Sequence, residues 1–184
     1  IRNGVELEGK EALITTEEKS DRRRALNLPV NSRLFVYAGP LIRRKEPEFL
    51  IRAFLDYADR TDTLCLLGDG SLLPACRRIA ANRNNIVLPG LVRNVADYLR
   101  AADLFVSASH AEGMPNAVLE ALAASLPVVL SDIPAHREVL ENCSEAGWLF
   151  TPSDSTALSN CLDQAVSDIS AQHAARQLVE QHFS

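Results

Sequence analysis

No apolar stretch in this sequence runs beyond a few residues, far short of the roughly 18 that a membrane-spanning helix requires. Basic residues are in deficit. Nineteen Lys and Arg stand against 24 Asp and Glu, a formal charge of −5, whereas a nucleic-acid-binding surface calls for a basic excess. Cysteine is sparse: Cys65, Cys76, Cys143 and Cys161 share no close spacing, so metal sites built from C-x-x-C pairs are excluded. Cys65 and Cys161 lie in apolar stretches and are expected as small core hydrophobes in a reduced, cytoplasmic chain. There is no internal repeat and no low-complexity tract. What is present is ordinary for a folded domain, with 47% hydrophobic and 23% charged residues. A length of 184 residues fits about one domain with a core of its own.

Short β-branched runs alternate with helical periods. Residues 33–39 (RLFVYAG) predict a strand ending in glycine, and 47–60 place Phe49, Leu50, Ala53, Phe54 and Tyr57 at helical spacing behind Pro47. Further strands are expected at 63–68, 85–90, 103–109, 127–132 and 147–150. Helices are expected at 72–83, behind Asn94 as N-cap, over Asn116–Ala124, from Pro134, and near 154–167 and 170–182. This order calls for an α/β fold, a doubly wound parallel sheet with helices on both faces. The opening IRNGVELEGKEALITTEEK reads as a strand fragment and a turn without upstream support, and QLVEQHFS stops in mid-pattern at Phe183. The expectation is a domain belonging to something longer.

Ligands of open parallel sheets bind where the loops leave the strands' carboxyl ends. After the first strand come Arg43, Arg44 and Lys45, three cations ahead of a helix, which suit a phosphate or equally a solvated basic loop. After the second comes Gly68-Asp69-Gly70-Ser71, a turn permitting close backbone approach. A dinucleotide fingerprint would need a third glycine where Leu73 stands, which disfavours a nicotinamide dehydrogenase. After the fourth comes SASHAEGMPNAVLEALAAS, with Glu112 in the loop and Glu120 on the following helix. Asn116 as N-cap would leave the N–H groups from Gly113 to Ala117 facing an anion. Two carboxylates beside such an end suit a ligand with a central phosphate and hydroxyl-rich flanks. The alternative makes Glu120 a solvated helix residue and Glu112 a dipole partner. A glycosidase pair is disfavoured, because that mechanism has no use for phosphate-directed N–H groups between its carboxylates. His110 and His136, without a partner Ser or Cys motif, are expected as exposed polar residues, and Trp148 as a packing residue.

The segment EGMPNAVLEALAASLPVVLSDIPAHREVL resembles the signature of the GT-B retaining glycosyltransferases of family 4, which carries two glutamates with seven residues between them; Glu112 and Glu120 match. IRNGVE resembles that family's interdomain hinge, GPLIRRKEPEFLIRAF its phosphate loop and first helix, LLGDGSLL its glycine loop and IVLPGLV its base-binding loop. The resemblance implies that residues 1–184 form one Rossmann-like donor-binding domain, the C-terminal half of a GT-B enzyme, with 1–14 a hinge remnant and the N-terminal acceptor domain absent. It implies roles residue by residue. Glu120 would bind the nucleotide ribose, and Glu112 the hydroxyls of the donor sugar. Gly113, Met114, Pro115 and Asn116 would approach the diphosphate and sugar. Lys45, with Arg44, would stabilise the leaving diphosphate, and Val92 would lie against the base. Gly39, Gly68 and Gly70 fall in the matching glycine turns.

The implied activity is hexosyl transfer from a UDP- or GDP-sugar in polysaccharide or glycoconjugate synthesis, with no cofactor and no metal ion. The implied setting is cytoplasmic or peripheral to the inner membrane face, with membrane association only through the absent half, and the domain alone is expected to be inactive. The alternatives are a non-catalytic nucleotide-binding module and a nucleotide-sugar epimerase of GT-B fold. Two departures stand out: Pro40 replaces the arginine usual after the first loop's glycine, and Glu46 replaces the glycine after the loop lysine.

Overall fold

Along β1 (Arg33–Ala38), side chains of successive residues leave opposite faces, and both faces are apolar. Leu34, Val36 and Ala38 enter one core cluster while Phe35 and Tyr37 enter a second. A strand buried on both sides needs neighbours on both edges and helices on both faces. The computed structural model, which describes residues 15–57, 61–141, 144–168 and 174, has that arrangement. Its other strands are β2 (Asp62–Leu67), β3 (Ile86–Gly90), β4 (Leu104–Ser107), β5 (Val128–Ser131) and β6 (Gly147–Phe150). They form one parallel sheet in the order β3-β2-β1-β4-β5-β6.

The helices are α1 (Thr16–Ala25), α2 (Pro47–Tyr57), α3 (Leu73–Ile79), α4 (Val95–Ala101), α5 (Asn116–Ala123), α6 (Pro134–Leu140) and α7 (Ser155–Ser167). The first cluster joins Val36, Cys65, Phe105 and Val128 to Leu99 of α4, Leu119 and Leu122 of α5, and Val139 of α6. The second joins Phe35, Leu64, Val106 and Val129 to Leu50 and Phe54 of α2, Cys76 of α3, and Leu158 and Leu162 of α7. Phe35 and Phe54 meet edge to face at 5.4 Å. Each such buried Leu or Phe contributes about 1.5–3 kcal/mol relative to exposure. The sheet is thus doubly wound. Its strand order reverses between β1 and β4, where the carboxyl ends diverge and a crevice opens.

The expected strands and helices within the described residues are present with ends shifted by at most four residues, and the helix begun at Pro47 is described as far as Tyr57. Cys65 is buried, Cys161 half-buried beside the second cluster, and Trp148 packs against that cluster as expected. The hinge segment 1–14, Cys143 and the helix expected at 170–182 lie outside the described residues, Ala174 excepted. Two expectations are corrected. Helix α1 replaces part of the opening fragment and turn; it is closed by a capping box in which Thr15 and Glu18 satisfy each other's backbone N–H. Its anchor is polar: buried Arg23 donates to the carbonyls of Ala101 and Ser32 at 2.8 and 2.6 Å and pairs with Asp103 at 2.7 Å. His136 is not an exposed residue but a fully buried one, because the short helix α6 turns it under the sheet's end.

Candidate functional site

A cleft of about 530 Å³ lies at the crevice beyond the carboxyl ends of β1 and β4. It gathers Gly39, Arg44, Lys45, Gly68, Val92, Glu112, Met114, Pro115, Asn116 and Glu120 from five separate segments. Of the residues singled out in the sequence, Arg43, Gly70, His110 and Gly113 do not line it. Gly70 does a different job: a Cβ there would lie 2.5 Å from the Leu41 carbonyl oxygen, so its bareness admits the β1 loop. Gly68 is similar, 2.0 Å from the Gly39 oxygen at φ +139°. The close approach expected of this turn is therefore to another loop's backbone.

The three cations after β1 form a 3₁₀ turn, Arg43–Lys45. Lys45 Nζ pairs directly with Glu112 Oε1, and the two side chains are only 13% and 7% exposed. A buried charge needs such a partner. Arg44 is half exposed; its Nη1 donates to the Ala111 carbonyl at 3.1 Å and lies 3.8 Å from Glu112 Oε2. The His110 N–H donates to the Arg44 carbonyl at 2.8 Å, which ties the turn to the β4–α5 loop. Ser109 Oγ donates to Glu112 Oε1 at 2.7 Å. Two cations and the first carboxylate therefore form one knot at the mouth of the crevice.

Glu46, the departure after Lys45, adopts the left-handed conformation with φ +50°, which costs a non-glycine residue roughly 1–2 kcal/mol. Its carboxylate turns to His110 Nε2 at 3.5 Å and is absent from the cleft's lining. Glu120 stands on α5, exposed, and lines the same cleft; partial burial raises its carboxyl above the usual 4.5. Leu91, 82% exposed, and Val92 close the third side at the end of β3.

The cap of α5 differs from expectation. Pro115, not Asn116, is its N-cap, and no side chain caps it. Asn116 is the first helical residue, and its N–H already donates to the Met114 carbonyl at 3.0 Å. The chain turns here on the Pro115 oxygen, which accepts from Val118 and Leu119 at 2.9 and 3.2 Å. The helix end accordingly offers an anion fewer donors than the spacing implied. Sequence reasoning also missed Ser107, Ser109 and Ser131, which carry buried hydroxyls around the knot. Ser109 had a local signal, lying three residues before Glu112. Among the described residues, no group of three or more His, Cys, Asp or Glu is placed to hold a metal ion, and no helix is long and apolar enough to cross a membrane.

A family model described as "Glycosyl transferases group 1" matches residues 32–168. TuaC of Bacillus subtilis (strain 168), a glycosyltransferase named provisionally for teichuronic acid biosynthesis, is 40% identical over 119 residues, 64% of this chain and 29% of its own. The UDP-Gal:alpha-D-GlcNAc-diphosphoundecaprenol alpha-1,3-galactosyltransferase of Escherichia coli is 28% identical over 176 residues, 91% of this chain and 45% of its own. Among solved structures, Anabaena Alr3699/HepE in complex with UDP and glucose superposes with a TM-score of 0.82 at 21% identity, covering 92% of this chain and 49% of that one. The fold is therefore that of a GT-B Rossmann domain. The chain spans less than half the length of each of these relatives.

Proposed function

The chain belongs to the group 1 glycosyl transferases, and from that membership we propose that it is the C-terminal, donor-binding domain of a retaining enzyme that takes a UDP- or GDP-sugar. The observation that carries this reading is the knot of Lys45, Arg44 and Glu112 lining one cleft together with Glu120. Transfer breaks the bond between the anomeric carbon and the diphosphate oxygen and leaves negative charge on the diphosphate. Lys45 and Arg44 are held where that charge develops, so they stabilise it without reorganising. The local potential, not the net −5, receives the ligand.

Glu112 accepts hydrogen bonds from the sugar hydroxyls and Glu120 from the ribose, while Val92 and Leu91 offer the base an apolar edge. Gly39, Gly68, Met114, Pro115 and Asn116 line the cleft against the diphosphate. The acceptor is bound by an N-terminal half outside these 184 residues, a reading supported by the relatives' greater length. Placement in surface-polysaccharide synthesis rests on what the relatives' names say of those proteins.

A thermal-shift panel of UDP, GDP, ADP and their sugars tests the reading. A binder at 100 times its Kd adds about 2.7 kcal/mol of stability, or roughly 5–10 °C for a domain of this size. A saturable rise with one nucleoside diphosphate is the expected result. No rise with any of them at millimolar concentration overturns the proposal.

A further inference from the structure

The domain buries a polar chain that leads to the cleft from behind and that donor binding alone does not require. His136 Nδ1 lies 2.8 Å from the Ser131 carbonyl oxygen, so that nitrogen carries the proton and donates. Its Nε2 is buried and finds no partner among the described residues. Ser131 Oγ donates to the Ser109 carbonyl, and Ser109 Oγ donates to Glu112 Oε1 at 2.7 Å. Ser107 Oγ lies 3.2 Å from Ser109 Oγ. None of the three serines or His136 is more than 4% exposed. The β4–β5 ladder ends at Ser107 and Leu130, so these bonds continue the join between the two strands into the loops beyond it.

The consequence falls on one carboxylate. Glu112 Oε1 takes both Lys45 Nζ and Ser109 Oγ, whereas Oε2 faces the Arg44 guanidinium at 3.8 Å, too far for a hydrogen bond. Without the Ser109 hydroxyl, the carboxylate could rotate and give both oxygens to its two cations. We propose that Ser109, braced by Ser131 and His136, is a positioning residue that pins Oε1 and so keeps Oε2 available to a donor-sugar hydroxyl. This rests on the donor-binding reading. It assigns sugar readout to one oxygen and its upkeep to residues that touch no ligand.

The test is calorimetry on the 184-residue chain with UDP and UDP-glucose, or with GDP and GDP-mannose if the guanine pair is the one that binds. The quantity read is the ratio of the two affinities. Ser109→Ala is expected to lower the sugar's advantage about three- to tenfold, the size of one hydrogen bond, with the affinity for the bare diphosphate within about twofold of wild type. His136→Leu is expected to do the same. His136→Asn, whose amide nitrogen reaches the Nδ1 position, should restore the ratio. Equal losses for both ligands in Ser109→Ala, or an unmoved ratio, would overturn the relay, as would a wild-type chain with no preference for the sugar. If His136→Leu fails to fold by circular dichroism, Ser109→Ala still decides the matter. A wild-type chain that binds no nucleotide removes the donor reading itself, an outcome distinct from an unmoved ratio.

Discussion

Replacing Gly68 by alanine is the sharpest stability test of how the cleft is built. An added Cβ would sit 2.0 Å from the Gly39 oxygen and 2.9 Å from the Gly39 carbonyl carbon. Both neighbours are backbone, so no side chain can swing aside. The loops are also fixed: the Gly39 N–H donates to the Leu67 carbonyl at 2.9 Å, and the Gly68 N–H to the Gly90 carbonyl at 2.8 Å. Relieving the overlap requires more than 1 Å of separation between the β1 and β2 loops, at a cost comparable to core overpacking, about 1–3 kcal/mol. Holding alanine at φ +139° adds about 1–3 kcal/mol more.

The sum, roughly 2–6 kcal/mol, is a large part of the 5–15 kcal/mol typical of a domain. It corresponds to a fall in Tm of roughly 5–20 °C. Gly113→Ala is the control, because a Cβ there meets nothing within 4 Å. It should stay within about 0.5 kcal/mol of wild type. Calorimetric melting of both variants reads the contrast. A Gly68→Ala chain melting within 2 °C of wild type, or a Gly113→Ala chain falling as far, would refute this account of the cleft floor.

Two further outcomes are expected. Glu120→Ala should weaken nucleotide binding roughly 10- to 100-fold by calorimetry, the worth of a hydrogen bond to a charged group; because burial raises the Glu120 pKa, wild-type binding should already weaken at a pH above 4.5 as the carboxyl takes up its proton. An unchanged affinity in the alanine variant removes Glu120 from the site. Burial, opposed by the Ser131 backbone, lowers the His136 pKa below 6.5. The unfolded chain then binds a proton that the folded chain refuses, so the His136 contribution to stability is intact above pH 6.5 and is lost as pH falls below it. The slope is at most about 1.4 kcal/mol per pH unit. Denaturant unfolding of wild type and His136→Asn at pH 7.5, 6 and 5 reads the difference, and parallel curves contradict it.

The fold was legible because its central strands are buried on both faces and the first two end in glycine. RLFVYAG and TLCLLG leave little choice but a covered parallel sheet, and Pro47 and Pro134 mark helix starts. Helix α1 was missed for the opposite reason. Its only buried residue is Arg23, so no apolar stripe betrays it. The remaining local signal was Thr15-x-x-Glu18, a capping box that was readable in TTEE. The pairing of Glu112 with Lys45 was not readable. The two are 67 residues apart and meet because the strand order places β4 beside β1. His136 was misread because a helix as short as α6 gives no period from which to tell its inner from its outer face.

The same topology governs the chemistry. The cationic turn follows β1 and the Glu112 carboxylate follows β4, yet they are joined four times over. The His110 N–H meets the Arg44 carbonyl, Arg44 the Ala111 carbonyl, Lys45 the Glu112 carboxylate, and Glu46 the His110 ring. Each link alone is modest, and the exposed ones contribute little to stability. Together they hold the two loops to each other, so the groups proposed for diphosphate and sugar are fixed relative to each other before any ligand arrives. On the proposed donor-binding reading, such prior fixation lets the cations act on the transition state instead of adapting to the ground state. Glu46, held in left-handed strain, closes the fourth link when the His110 ring is protonated.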